Sequence, residues 1–393
     1  MDQQNSEKPK KIAIILSKLE ETNKRKYQIW PNEVTIANLE LRCFSINRSE
    51  GQDEWTSFDD GEGKWNLKRL VKSILKWFPD FLAFFKSNRA NYGIKKSLRL
   101  WSKFAPLHAW KPDVIHFVEP GLARIVKPMP PNAKSITSFR GGDILVMPYI
   151  DLAWKDYLTK ELFPSQKIVH LISSCMLEEA EKLSPESKNF LMLTMGIDEK
   201  LFVPKNKNSA NAEKVIIVTS GRLSWQKGLI FALNAIKQLK DEGIALEYHI
   251  VGDGNLYNQL AYWSRYLGIQ DSVILHGRVS LDEVRDILNT ADIYLQPSIS
   301  ESLCIATIEG MAMELPVVAT TVGEFPKMVV EGESGLLVPP GDADAIASAL
   351  KKLIQESEMA KVMGKLGRKI VLEKFTLDIE RQNWLQVYQN LTK

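Results

Sequence analysis

The strongest constraint on this chain is a rhythm. Short, uninterrupted runs of branched apolar residues recur along its length, each followed by a longer stretch with helical spacing. In the first half the runs are Ile12–Leu16, Asp113–Val118, Ser135–Phe139, Ile168–Ser173 and Phe190–Thr194. In the second they are Val215–Ser220, Leu246–Gly252, Val273–His276, Ile293–Pro297 and Pro316–Thr320. A strand that is apolar on both faces has to be covered on both, which is the condition of a parallel sheet flanked by helices. Two such sets, one per half, predict two Rossmann-like α/β domains, and 393 residues suffice for a core in each. The seam is expected at Val203–Glu213, rich in Lys, Asn and Ala and poor in anything that packs. The expected division is therefore residues 1–203, residues 204–376, and a last helix over 377–393 that crosses back to the first domain. Ligands of open parallel sheets bind outside the carboxyl ends of the strands, so a site in a cleft between the two sheets is expected.

Charge and cysteine usage narrow the function classes. The formal net charge is only +3, and it is unevenly spread: 31 Lys/Arg against 25 Asp/Glu in residues 1–200, but 20 against 23 in 201–393. A total so near neutral does not describe a nucleic-acid binder. Cys43, Cys175 and Cys304 are odd in number and far apart, which excludes a disulfide scaffold and suggests a reducing compartment. No Cys pair or His-x-x-x-His spacing offers a zinc site. The apolar run after the polar start is too short for a signal peptide, and no run of 18 apolar residues occurs. A cytoplasmic protein is the expectation.

The densest chemical signal follows the run Val215–Ser220. Gly221-Arg222-Leu223-Ser224-Trp225-Gln226-Lys227-Gly228 opens a helical stretch, Leu229–Lys240. Glycines at both ends let the backbone turn sharply, and a guanidinium and an ammonium beside a helix N-terminus can clamp a diphosphate. The Lys precedes its Gly, so this is no Walker A loop; a solvated basic turn is the plainer alternative. The second signal is Glu301-Ser302-Leu303-Cys304-Ile305-Ala306-Thr307-Ile308-Glu309 at the start of another helix. Glu301 and Glu309 lie about 12 Å apart along a helix axis, a spread suited to two hydroxyl-bearing groups of one extended ligand. Amides of Leu303, Cys304 and Ile305 would face any anion placed there. The alternative is an acid complementing the helix dipole plus an unrelated Glu.

Taken together, these segments resemble the family 4 glycosyltransferases, retaining enzymes of the GT-B fold. The matching residues are G-R-L-x-x-x-K-G (Gly221–Gly228), V-G-D-G (Val251–Gly254), H-G-R-V (His276–Val279), Glu301 with Glu309, Pro316–Thr320 and Gly335–Asp342. Weaker matches are Pro112–Phe117, Ser138–Ile144 and Leu193–Phe202, and the stretch Glu20-Glu21-Thr22 with Pro31-Asn32-Glu33 resembles the opening of bacterial exopolysaccharide and lipopolysaccharide enzymes. The resemblance implies two Rossmann-like domains facing across a cleft, acceptor in the first and donor in the second. It implies that Arg222 and Lys227 hold the diphosphate of a nucleotide sugar, UDP-sugar in preference to GDP-sugar, with Gly221 shaping the loop. Glu309 would bind ribose, Glu301 the donor sugar, Leu303–Ile305 the phosphates and the backbone near Val279 the base. No metal or resident cofactor is implied.

Three positions depart from the family. Cys304 replaces a glycine, Arg140 in Phe139-Arg140-Gly141-Gly142-Asp143 replaces a histidine, and Ser17-Lys18-Leu19 replaces a glycine pair. Arg140 cannot act as a base but can bind phosphate. His116, at the end of an apolar run, is either a cleft residue or a satisfied core histidine; His116, Arg140 and Asp143 are the acceptor-side candidates. Asp342-Ala343-Asp344 reads as a helix cap rather than a metal site. Gly252-Asp253-Gly254 lacks the third glycine of a dinucleotide fingerprint, so NAD is rejected.

Residues 64–111 carry twelve Lys/Arg against one acid, Asp80, interleaved with ten aromatic residues. Apolar positions from Leu67 to Phe78 repeat at helical spacing, and Pro79 should end or kink that helix. A basic amphipathic helix suits an anionic membrane surface; a core-packed helix with a solvated basic face fits the same pattern. The expected function is a retaining, metal-independent transfer of sugar from a nucleotide diphosphate to a glycan or lipid-linked acceptor in surface polysaccharide or glycolipid synthesis. Its expected place is the cytoplasm, peripheral on the inner face of the membrane. Two other readings are a catalytically silent GT-B protein binding a nucleotide sugar or partner enzyme, and a UDP-sugar epimerase of the same fold.

Overall fold

The computed structural model describes residues 8–18, 33–47, 67–76, 78–126, 129–130, 132–205 and 214–393. The Glu20–Thr22 and Pro31–Asn32 segments, Leu19, residues 64–66 and residues 206–213 of the expected seam lie outside the described residues. The chain divides into two compact units. One comprises Met1–Ile172, Met176–Leu193 and Arg381–Lys393, the other Ser173–Cys175 and Thr194–Glu380.

The first unit is built on seven strands: β1 (Lys10–Lys18), β2 (Glu33–Ile36), β3 (Leu39–Asn47), β4 (Val114–Phe117), β5 (Lys134–Ser138), β6 (Ile168–Leu171) and β7 (Phe190–Met192). Their order is β2-β3-β1-β4-β5-β6-β7, parallel throughout except that β2 runs antiparallel along β3. The five strands read from the sequence are all present. The β2–β3 hairpin is an addition: β3 alternates buried Leu39, Leu41 and Cys43 with partly exposed Glu40 and Arg42. That is the pattern of a strand nearer an edge, which a search for continuous apolar runs passes over. Between β3 and β4 come helices α1 (Leu67–Lys76) and α2 (Phe78–Trp110), the latter broken at Gly93, where φ is 74°. Pro79 falls in the first turn of α2, where its missing N–H leaves no hydrogen bond unmade.

The second unit holds β8 (Val215–Ser220), β9 (Leu246–Val251), β10 (Val273–Gly277), β11 (Ile293–Gln296), β12 (Val317–Thr320) and β13 (Gly335–Val338), all parallel, in the order β10-β9-β8-β11-β12-β13. The order reverses between β8 and β11, and in open α/β sheets that switch point is where loops part and ligands enter. Helix α3 (Leu229–Asp241) buries Leu229, Leu233, Ile236 and Leu239 on the sheet, each worth about 1.5–3 kcal/mol relative to exposure. Helix α4 (Ile305–Ala312) follows β11. The Asp342 carboxylate accepts the Ala345 N–H at 2.9 Å and caps the helix Ala343–Gln355, which accounts for the Asp-Ala-Asp sequence. Helix α5 (Leu377–Thr392) leaves the second unit, and from Arg381 onward its residues belong to the first.

Candidate active site

Two loops of the second unit meet at the switch point. After β8 the chain turns through Gly221 to a short 3₁₀ turn, Trp225–Lys227, and then enters α3. Gly228, at φ 60°, makes that entry; a Cβ there would collide with the Pro297 carbonyl. After β11 the chain runs back across this turn, where Ile299 and Ser300 both donate their N–H to the Gln226 carbonyl, at 2.8 and 3.3 Å. These bonds fix the distance between Lys227 and the segment that starts at Glu301.

Lys227 Nζ lies 2.6 Å from Glu301 Oε2 and 3.4 Å from Cys304 Sγ. The two charged side chains keep 14 and 17% of their surface exposed, so they are reachable yet largely out of water. Burial disfavours the charge on Lys227, but its neighbours outweigh that and hold its pKa above the ordinary value. Burial likewise raises the Cys304 thiol, so at neutral pH Cys304 stays protonated and the negative charge facing Lys227 is that of Glu301. Cys304 is the N-cap of α4 with φ −90°, a value open to any residue, and its side chain does not cap the helix. The Thr307 N–H donates to the Cys304 carbonyl at 3.1 Å, so it is the Ile305 and Ala306 amides that make no intrahelical bond, on a helix end that favours an anion.

Of the remaining sequence candidates on this side, Arg222 is exposed on the same loop and its side chain has no partner among the described residues. Glu309 is half-buried on α4, close enough to Tyr294 for its charge to help keep that phenol protonated, after burial and Cys304. Leu303 is buried, Ile305 and Gly221 half-buried, and Val279 half-buried beyond β10.

Beneath these loops runs a polar chain that sequence reading missed. Ser220 donates to the Tyr294 hydroxyl at 3.2 Å, Tyr294 to Gln296 Oε1 at 3.2 Å, and Gln296 Nε2 to Ser298 Oγ at 3.0 Å. It ties the carboxyl ends of β8 and β11 together. The signal was present in Ile293-Tyr294-Leu295-Gln296, where polar groups alternate inside a strand that is buried throughout.

The first-unit candidates are differently placed. His170 Nε2 lies 2.9 Å from the Leu193 carbonyl, which can only accept, so His170 Nδ1 must accept in turn. Ser138 donates to His170 Nδ1 at 2.7 Å, and His116 Nε2 donates to Ser138 Oγ at 2.7 Å. His116 Nδ1 then accepts from the Tyr388 hydroxyl at 2.8 Å. Both imidazoles are neutral, and Trp384 of α5 packs on them with ring centroids 4.4 and 4.7 Å away. His116 is thus a satisfied core histidine. Arg140 and Asp143 lie beyond β5, half-buried. Burial pushes the Asp143 carboxyl up; the Arg140 peptide N–H opposes this and the Glu119 charge reinforces it.

Comparison with known proteins bears on the family and the fold. Residues 203–370 match the family described as Glycosyl transferases group 1. The amylovoran biosynthesis glycosyltransferase AmsK of Erwinia amylovora is 31% identical over 230 residues, 57% of this chain and 56% of that protein. The chain spans about three fifths of the length of the first curated relatives it matches. Among solved structures, sucrose-phosphate synthase from Thermosynechococcus elongatus superimposes with a TM-score of 0.67 at 18% identity, over 98% of this chain and 99% of that one. Anabaena HepE in complex with UDP gives 0.68 at 14% identity, over 97 and 100%. At these identities the likeness establishes the fold, which is GT-B.

Proposed function

We propose that the chain, whose residues 203–370 match the group 1 glycosyl transferases, moves a sugar from a nucleotide diphosphate onto a glycan or lipid-linked acceptor in surface polysaccharide assembly. The observation that carries the proposal is the Lys227–Glu301 pair, 2.6 Å apart beside the open amides of α4 at the sheet's switch point. A pyrophosphate entering there takes Lys227 from Glu301 and receives the amide donors. Arg222 closes on it from the same loop. Glu301, released, accepts from hydroxyls of the transferred sugar, and Glu309 from those of the ribose. UDP is the favoured nucleotide, in keeping with the UDP bound to HepE.

In the transfer the bond from the anomeric carbon to the phosphate oxygen breaks and the acceptor oxygen bonds to that carbon on the same face. The acceptor's proton passes to the departing phosphate, so the configuration is retained and no protein base is needed. Negative charge grows on the diphosphate as the bond breaks, and preformed cations and amides stabilise it without reorganising. A lysine with a raised pKa keeps its charge throughout. On the first unit, Arg140 is assigned to an acceptor phosphate. Nucleotide release from UDP-sugars, measured with and without a polyprenyl-phosphate-linked acceptor, tests the reading. Acceptor-dependent release that is lost in Lys227→Ala is expected; full release in that variant would overturn the assignment of Lys227. Conversion of UDP-sugar without any acceptor would point instead to epimerisation.

A further inference from the structure

The helix Tyr257–Tyr266, between β9 and β10 of the second unit, has two faces of different chemistry. Inward, Leu260 and Ser264 are buried, and Leu260 belongs to the unit's hydrophobic core. That side alone holds the helix to the sheet. Outward, Asn258, Gln259, Tyr262, Trp263, Arg265 and Tyr266 fall on one stripe at helical spacing. All six are exposed, Tyr262 by 64% and Tyr266 by 68%. The two tyrosine rings lie within 18° of parallel with centroids 6.2 Å apart, and Trp263 stands edge-on to both, at 6.0 and 5.2 Å. The three rings therefore brace one another. None of the six side chains has a hydrogen-bond partner among the described residues. Because β9 and β10 are parallel, the helix runs back from the carboxyl edge of the sheet, and its aromatic end lies away from Lys227.

We propose that this face is a glycan-binding platform for a polysaccharide that carries carboxylate groups. Three touching aromatic rings in water are not what a merely solvated helix face needs. A ring face carries partial negative charge, which suits the polarised C–H groups on one side of a sugar ring. The Asn258 and Gln259 amides both donate and accept, as neighbouring sugar hydroxyls do. Charge completes the match. The helix has no carboxylate, and Arg265 offers a carboxylate two parallel N–H donors. Lys240 Nζ, 3.3 Å from the Gly268 carbonyl, brings a second cation to the same end of the helix. The same composition disfavours a bilayer, because the helix exposes no aliphatic side chain larger than Ala261 to enter the acyl region. It also disfavours a second copy of the chain, whose matching face brings a cation and no acid to meet Arg265.

The test is native electrophoresis of the full chain through gels containing alginate, a polymer of uronic acids, or neutral dextran. Retardation by alginate, stronger than by dextran, is expected. Tyr262→Ala with Tyr266→Ala should weaken alginate affinity at least about tenfold, the cost of truncating ring anchors. The melting temperature should not move, because both side chains are exposed. Tyr262→Phe with Tyr266→Phe should keep most of the binding, since stacking needs the rings and not the hydroxyls. Arg265→Gln should weaken binding to alginate and leave dextran as it was. Lys227→Ala should bind alginate like the unaltered chain, so failure of this proposal and failure of the sugar-transfer reading are separable. Three results would each overturn the proposal: no retardation by alginate, retardation indifferent to the tyrosine-to-alanine pair, or light scattering that shows self-association removed by that pair.

Discussion

Each unit carries polar side chains at or just beyond the carboxyl ends of its strands, and the two edges are built to opposite purposes. In the second unit Lys227 and Glu301 are charged, partly exposed, and held by loops that hydrogen-bond to each other. In the first, His116, Ser138, His170 and Tyr388 are buried and neutral, and each links to the next in a chain of defined proton positions under Trp384. A ligand arriving at the second edge can take one ion's place. At the first it would have to break a closed sequence of hydrogen bonds. Residue type and strand-end position are the same kind of signal in both; solvation and the donor count tell them apart.

The largest effect expected from this contrast is on acid stability, and it belongs to the first unit. Burial holds His170 at about 3 and His108 at about 4, and puts His116 well below its usual value. The unfolded chain takes up these protons below about pH 6.5, whereas the folded chain does so only near its depressed values. Native stability is therefore complete above about pH 6.5 and falls as the pH drops toward the folded values, by about 1.4 kcal/mol per pH unit for each histidine. Melting followed from neutral pH down to about 4.5 should show this decline, and His170→Gln should remove one histidine's share of the slope. A flat profile would mean that the imidazoles are not held neutral, and the contrast would be lost.

Next in size is Lys227→Ala, for which turnover should fall about 10²- to 10³-fold, the usual cost of deleting one preorganised donor to developing negative charge. Circular dichroism should show the fold intact. The corresponding change on the first edge, Tyr388→Phe, takes away the hydroxyl that donates to buried His116 Nδ1 and should cost about 1–3 kcal/mol of stability, read by urea unfolding. UDP affinity should not move. A variant that lost UDP binding with little loss of stability would show that the first edge shares in the site.

Much of this was legible because it is local. The turn that carries Lys227 and the helix start that carries Glu301 are each written in a few consecutive residues, with glycine where the backbone needs it. The ten apolar runs gave ten strands for the same reason. What stayed hidden was set by partners far away in sequence. Tyr388, which satisfies His116, lies 272 residues further on, and no spacing rule links them. The half-polar β3 lacked the continuous apolar signature, the apolar run of β13 after Gly335 was too short to stand out, and the Tyr294–Gln296–Ser298 chain became visible only once its strand proved buried on both faces.

The smallest effect is the most discriminating. If Lys227 must leave Glu301 when a diphosphate binds, the resident pair competes with the ligand, and Glu301→Gln should relieve that competition. A neutral amide in the same place still accepts a hydrogen bond from Lys227 but holds it less strongly. Replacing the charge-assisted bond by a neutral one weakens the hold on Lys227 by about 1 kcal/mol, so UDP affinity should rise by about two- to fivefold in titration calorimetry. Turnover of UDP-sugar should fall in the same variant, because the carboxylate that accepts from the sugar hydroxyls is gone. Affinity and turnover then move in opposite directions, which a merely structural ion pair would not produce: breaking a structural pair loosens the loop and weakens both. Parallel losses would make Lys227–Glu301 a brace like the histidine chain of the first unit, and the difference between the two edges would reduce to one of exposure.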